Sequence, residues 1–280
     1  MATCGKLSAT VLARFEEYLV RDVKSEATIE KYLRDVRAFQ VYLAHRAVSK
    51  PLVIEYKRYL IERGYAMRSI NSMLAAVNSL LRFMGREDCR VKSLKIQHKP
   101  YCAEDRELTQ AEYRRLLESA GGKPRLQLVL QAICATGIRV SELRHFTVEG
   151  VRRGEITVRC KGKVRTILVP HKLRVKLLRY ARARNIEHGM IFITKHGRAL
   201  DRSNIWAQMK ALCRAASVQA SKVCPHNLRK LFARAFYAVE HDIAKLADIL
   251  GHSSINTTRI YIMSTGVEHR RRIEQLGLVL

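Results

Sequence analysis

Between Val11 and Met84 the apolar residues keep returning at intervals of one, three and four, and nothing else in the chain constrains its fold so tightly. That spacing stacks side chains on one face of an α-helix. Ser8 can cap a first helix carrying Val11, Leu12, Phe15 and Leu19. A second follows Ser25 and strings Ile29, Tyr32, Leu33, Val36, Phe39 and Leu43 along one stripe. Pro51 suits the first turn of a third, with Val53, Tyr56, Tyr59 and Leu60, which stops near Gly64. A fourth runs from about Met67 through Ile70, Met73, Leu74, Val77, Leu81 and Met84 to Gly85. Four such helices predict a small bundle spanning residues 1–94.

The pattern fails over residues 86–107. Lys92-Ser-Leu-Lys-Ile-Gln-His-Lys-Pro-Tyr101 has no helical period and runs into a charged stretch, so residues 95–107 read as a linker. A second domain, 108–280, opens with Thr109 and Glu112 spaced as a capping box. A helix is predicted over about 124–135, and a short one beyond Gly137 holds Ser141, Glu142 and Leu143. Gly154–Cys160 and Val164–Val169 are β-rich runs joined by Lys161-Gly-Lys, a tight-turn signal. Helical stretches follow at about 171–184, 201–216, 226–239, 241–250 and 255–262. The fold class is therefore mostly α with a small β-sheet (α+β).

Charge narrows the partners. Lys and Arg number 52 against 25 Asp and Glu, a formal net charge of +27 on 280 residues. Self-repulsion on that scale opposes compaction unless a polyanion is the working partner, and nucleic acid leads over an anionic membrane or ribosomal surface. No apolar run approaches the eighteen or so residues of a membrane span, and the first residues lack the apolar core of a signal peptide. Seven cysteines without a C-x-x-C read as reduced thiols, and Cys213 and Cys224 lack the companion ligands of a zinc site. A cytoplasmic location is expected.

No G-x-x-x-x-G-K-[S/T] and no G-x-S-x-G occurs, and no acidic cluster resembles a two-magnesium nuclease site. An enzyme acting on nucleic acid here is expected to need no metal, no ATP and no other cofactor. What remains is a set of cations and imidazoles at turns and helix starts. Arg139 follows the Gly137 break, where its side chain can enter a cleft, with Glu142 three residues on. Pro225 marks a helix start, and His226 and Arg229 share a face of that helix. Gly251 ends one helix, His252 follows, and Tyr261 falls about two turns into the next. Each segment alone has an ordinary reading: a surface arginine, a solvated helix end, a core tyrosine.

Taken together, Gly137-Ile-Arg139-Val-Ser-Glu142-Leu, His226-Asn-Leu-Arg229 and Leu250-Gly-His252 followed nine residues later by Tyr261 resemble the tyrosine recombinases, the lambda-integrase and Xer group. The resemblance covers about 108–270, and the bundle looks like that family's SAM-like core-binding domain. It implies a site-specific DNA recombinase that cuts and rejoins double-stranded DNA through a 3′-phosphotyrosyl intermediate. Tyr261 would be the nucleophile, Arg139 and Arg229 the phosphate clamp, His252 a further hydrogen-bond donor and His226 the proton acceptor. Glu142 would support the Arg139/His226 array from behind. The family places a general acid in the β-turn, which here means Lys161, with Lys163 as a rival because the turn departs from the commoner Gly-Lys-Gly-x-Lys-x-Arg form.

The same resemblance implies further protomers as partners in a tetramer on DNA. Residues 265–280 read as a short amphipathic helix with Val267, Ile273, Leu276 and Leu278 available for packing, on a neighbour or on its own domain. The short stretch before the first helix favours a two-domain, Xer-like organisation without a separate arm-site domain. An accessory protein is a possible partner. In the bundle, Arg68, Asn71, Asn78 and Arg82 are candidates for DNA contact or for a solvated face. Two alternatives stay open: a type IB topoisomerase-like nicking-closing enzyme, and a catalytically inactive basic DNA-binding protein.

Overall fold

Ser8 accepts a hydrogen bond from the Val11 amide and so opens α1 (Ala9–Arg21). Helix α2 (Glu26–Leu43) follows Ser25, α3 (Lys50–Glu62) carries Pro51 in its first turn, and α4 (Met67–Phe83) ends just before Gly85 at φ +71°. The predicted stripes face one another: Phe15, Leu19, Val36, Phe39, Val53, Tyr56, Leu74 and Val77 are buried, and the Phe39 and Tyr56 rings meet at 4.9 Å. Full burial of one such side chain contributes roughly 1.5–3 kcal/mol. This computed structural model describes residues 7–97, 107–160, 163–263 and 266–277. It divides into two compact units, Met1–His98 and Lys99–Leu280. Within the span read as a linker, residues 98–106 lie outside those described.

Two of the four polar residues singled out in the bundle serve its own chain instead of facing outward. Asn78 brackets Val91, donating to its carbonyl at 2.8 Å and accepting from its amide at 3.1 Å. Asn71 does the same with Leu94, at 2.9 and 2.7 Å. A carboxamide offers one donor and one acceptor side by side, as a peptide does, and so substitutes for a neighbouring strand. Lys57 adds a bond to the Lys92 carbonyl at 2.8 Å, and Lys50 one to the Arg90 carbonyl. Residues 90–94 are thereby strapped along α3 and α4. Arg68 remains exposed, and Arg82 stands 3.8 Å from Glu87 with 56% of its side chain exposed.

In the second unit Thr109 and Glu112 form the expected capping box at the start of α5 (Gln110–Ser119). Helix α6 (Pro124–Thr136) buries Leu126, Leu128, Val129, Leu130 and Ile133 and runs through the core. A 3-10 turn over Val140–His145 leads to α7 (Val148–Arg153), which the sequence reading did not anticipate. Six residues are too few to show a period. The helix is defined by its ends, the Thr147 cap and Gly154 at φ +83°.

Strands β1 (Glu155–Cys160) and β2 (Lys163–Leu168) pair antiparallel, from Glu155 opposite Leu168 to Cys160 opposite Lys163. Ile156, Val158 and Ile167 face the core, which puts Arg165, opposite Val158, on the same inward side. Helices α8 (His171–Ala183) and α9 (Arg202–Ala211) follow. The latter stops five residues short of the expected 216, because residues 212–217 turn, with Ser217 at φ +50°, while Leu212, Cys213 and Ala216 stay buried. Then come α10 (Pro225–Glu240), α11 (Ile243–Leu250), α12 (Ile255–Ile262) and α13 (Gly266–Glu274). A second small core gathers Ala233, Leu246, Leu250 and Tyr261 from α10, α11 and α12.

Candidate active site

Two helix ends make the floor. Helix α6 closes on Gly137 at φ +63°, where a Cβ would stand 2.4 Å from the Phe232 ring. Helix α11 closes on Gly251, also at φ +63°, where a Cβ would stand 2.8 Å from the Arg165 side chain. Only glycine meets both the conformation and the space. The last carbonyls of a helix have no partner within it and carry partial negative charge. At the end of α11 three successive ones each take a different arginine. Arg165 donates to Ile249, Arg229 to Leu250 at 2.5 Å, and Arg139 to Gly251 at 3.2 Å. Arg229 also donates to the Gly137 carbonyl of α6.

Glu142, with 5% of its side chain exposed, is the carboxylate that meets these cations. Its Oε1 accepts from Arg139 Nη1 at 3.2 Å, and its Oε2 accepts from the Arg139 amide at 2.8 Å and from Arg165 Nη2 at 2.5 Å. Its bonds thus go to Arg139 and Arg165, and the expected support of His226 is replaced by support of a second arginine. Among the described residues, three guanidinium groups around this carboxylate leave a surplus of positive charge. Burial and the facing Arg139 push Arg229 down to a pKa of about 10, which still leaves it charged at neutral pH.

The nucleophile candidate lies over this floor. The Tyr261 ring packs between the rings of His226 (4.9 Å) and His252 (5.0 Å), with the Arg229 guanidinium 5.9 Å from its centre. Its hydroxyl is 3.3 Å from His226 Nδ1. Burial, then Lys230 and Arg229, lower the pKa of His226, so its ring is neutral at pH 7 and able to accept a proton. His252 lies with Nε2 3.0 Å from Arg229 Nη2 and Nδ1 2.8 Å from Thr258 Oγ1. Burial and the three arginines push its pKa down to about 4.

Five of the six residues singled out as catalytic, with Glu142, therefore meet in one place. Lys161 lies outside the described residues, and Lys163 is placed only by its backbone, at the start of β2 opposite Cys160. Arg165 and Thr258 were missed. The alternation of Val164-Arg-Thr-Ile-Leu168 points the wrong way for Arg165, since Val164 and Leu168 are 62% and 70% exposed while Arg165 turns inward. Thr258 precedes Tyr261 by three residues, one turn of the same helix, and that spacing was its available signal.

The family model described as "Phage integrase family" matches residues 106–266, and "Phage integrase, N-terminal SAM-like domain" matches residues 12–88. The tyrosine recombinase XerA of Pyrococcus furiosus is 30% identical over 98% of this chain and 96% of its own length. The tyrosine recombinase XerD of Halalkalibacterium halodurans is 29% identical over 88% of this chain and 90% of its own. Among solved structures, the XerH site-specific recombinase in a pre-cleavage complex with its difH substrate superposes with a TM-score of 0.74 at 18% identity, covering 100% of this chain and 97% of that one. A lambda integrase tetramer bound to a Holliday junction gives 0.73 at 17% identity, covering 92% and 77%.

Proposed function

The chain belongs to the phage integrase family of tyrosine recombinases, enzymes that transfer DNA strands through a phosphotyrosyl intermediate, and from that premise we propose how this site carries out the reaction. The Tyr261 hydroxyl oxygen attacks a phosphodiester of double-stranded DNA. The new O–P bond forms as the bond to the 5′ oxygen breaks, which leaves a 3′-phosphotyrosyl link and a 5′-hydroxyl. A phenol of reference pKa about 10 is a weak nucleophile at neutral pH and needs help. His226 Nδ1, 3.3 Å away and neutral, takes the proton. Lys161, which follows β1 in the sequence, with Lys163 as its rival, gives a proton to the leaving oxygen, a role that suits an ammonium better than a guanidinium.

The phosphate charge that grows in the transition state is met by Arg139 and Arg229, whose planar forks bind two oxygens where a lysine binds one. One phosphoester is exchanged for another, so the bond energy is kept. The 5′-hydroxyl of a partner duplex can then reverse the step and join the strands. The observation that carries this reading is the surplus of guanidinium charge directly beneath the Tyr261 ring.

Arg139 keeps 38% of its side chain exposed, whereas Arg229 is 2% and Tyr261 9% exposed, so engagement of Arg229 and attack by Tyr261 call for a local opening. The bound duplex supplies that opening. Further protomers complete a tetrameric synapse. Val267 and Ile273 of α13 and Leu276 just beyond it are 64%, 53% and 62% exposed, although Glu268 pairs with Arg234 of α10 at 2.9 Å. Leu278 lies outside the described residues. An opening of about 760 Å³ has an apolar wall of Leu108, Leu231, Ala235, Ala238 and Ile262 and a polar rim that includes Arg234, His241 and, from the chain's own α13, Glu268, and its apolar wall is the seat proposed for a neighbour's tail.

Two distinguishable duplexes carrying a mapped cleavage position test the whole reading. Joints between them support recombination, and deletion of 265–280 should reduce the joints more than the cleavage. Relaxation without joints would instead indicate a topoisomerase-like enzyme.

A further inference from the structure

Arg165 has no part in the reaction derived above, yet its environment is built around it. It occupies an inward position of β2 where its neighbour two residues on, Ile167, is core, and 13% of its side chain is exposed. Placing a guanidinium there is costly unless every branch is bonded. Nη1 takes the Ile249 carbonyl and Nη2 takes Glu142. Gly251 makes room for the stem, since a Cβ at that position would stand 2.8 Å from Arg165 Cδ.

Glu142 is the shared element. One of its oxygens serves both Arg165 and the Arg139 amide, the other serves the Arg139 guanidinium, and the carboxylate cannot turn while all three bonds hold. Freed from Arg165, it could rotate to take Arg139 with both oxygens. Such a two-pronged pair would neutralise the guanidinium and draw it away from a phosphate.

We propose that Arg165 is a positioning residue for strand cleavage: it fixes Glu142, and through Glu142 it holds Arg139 in register with Arg229 at the end of α11. Arg139 keeps one branch on the Gly251 carbonyl and one on Glu142, and the rest of its fork is left for the phosphate. A lysine at 165 would keep the charge but not the two diverging donors that reach Ile249 and Glu142 together.

The inference rests on the proposed role of the site, and its test separates the two. Wild type, Arg165→Lys and Arg165→Met would be compared for single-turnover formation of the covalent adduct at saturating duplex, for DNA affinity, and on a duplex with a methylphosphonate at the cleaved position. The methylphosphonate lacks one charged oxygen and so asks less of the clamp. Misplacing a positioned group can cost about 100-fold, so both variants should slow the phosphodiester reaction by roughly 10- to 100-fold. Affinity should stay within a few-fold, and the deficit should shrink on the methylphosphonate. Wild-type rates, or an equal deficit on both substrates, would overturn the inference, the latter by showing a purely structural role. If Arg165→Met does not fold, Arg165→Lys carries the same comparison. No adduct from the wild-type chain would overturn the assignment of the nucleophile, and this inference with it.

Discussion

Arg229 Nη2 lies 3.0 Å from His252 Nε2, and that contact fixes which nitrogen of the histidine holds the proton. A guanidinium only donates, so Nε2 accepts and the neutral ring carries its proton on Nδ1, directed at Thr258 Oγ1 2.8 Å away. Thr258 is fully buried, and its hydroxyl can either accept or donate. When a phosphate draws Arg229 off, Nε2 can take a proton from solvent as Nδ1 releases its own, and Thr258 can then donate to Nδ1 while the Nε2–H faces the phosphate. In the proposed reaction His252 would thus become a donor when substrate arrives.

The low pKa of His252, about 4 against an ordinary 6.5, also makes stability depend on pH. Between those values the unfolded chain holds more protons than the folded one, so stability rises with pH across the window and is lost as pH falls through it. His226, lowered in the same direction, adds to the effect. Urea midpoints at about pH 7.5 and pH 5 should therefore separate more for wild type than for His252→Asn. Equal separations would show that His252 does not bury its neutral form.

Arg139→Lys and Arg229→Lys should each slow adduct formation by roughly 100- to 1,000-fold, the usual loss when one donor to a transition-state anion is removed. They should differ in stability. Arg229 holds the Gly137 and Leu250 carbonyls while 2% exposed, so its replacement should also cost about 1–3 kcal/mol in urea unfolding. Arg139, 38% exposed along its side chain, should cost less. The reverse order would mean that the ends of α6 and α11 do not depend on Arg229.

Gly137→Ala and Gly64→Ala pose the same backbone problem in different surroundings. Both glycines have positive φ, +63° and +73°, but only at Gly137 does a Cβ meet another group, 2.4 Å from the Phe232 ring. Left-handed strain alone costs roughly 1–2 kcal/mol. Gly137→Ala should lower the urea midpoint further than Gly64→Ala and displace the carbonyl that holds Arg229. Equal effects would mean that Phe232 yields freely.

Asn78→Ala removes both bonds to Val91 and should destabilise the bundle by about 1–3 kcal/mol, while DNA affinity per folded molecule stays unchanged. A contact to a DNA phosphate behaves otherwise, and its loss would reduce the slope of log affinity against log salt by about 0.9. A changed slope for Asn78→Ala would restore this residue to the DNA-binding face.

The bundle helices were legible because each is long enough to repeat its apolar stripe, whereas the site was legible only through the joint resemblance of three segments to the tyrosine recombinases, since each segment alone has an ordinary reading. The polar residues Asn71 and Asn78 looked like outward-facing groups because sequence does not reveal that residues 90–94 return along α4. Arg165 was hidden for a different reason. Its strand exposes Val164 and Leu168 and buries a charge, which inverts the usual alternation, and the partners that make this tolerable come from Glu142 and from α11, far along the chain. Helix α7 was lost because its caps, and not its length, define it.

Covalent trapping without an assumed site tests whether Tyr261 is the nucleophile. Wild type and Tyr261→Phe would be incubated with a supercoiled genomic library, denatured in detergent, and the protein-linked DNA captured and its 3′ ends sequenced. Adducts through clustered 3′ ends in wild type, and none in Tyr261→Phe at equal DNA binding, are the predicted result. Adducts that persist in the phenylalanine variant would place the nucleophile elsewhere.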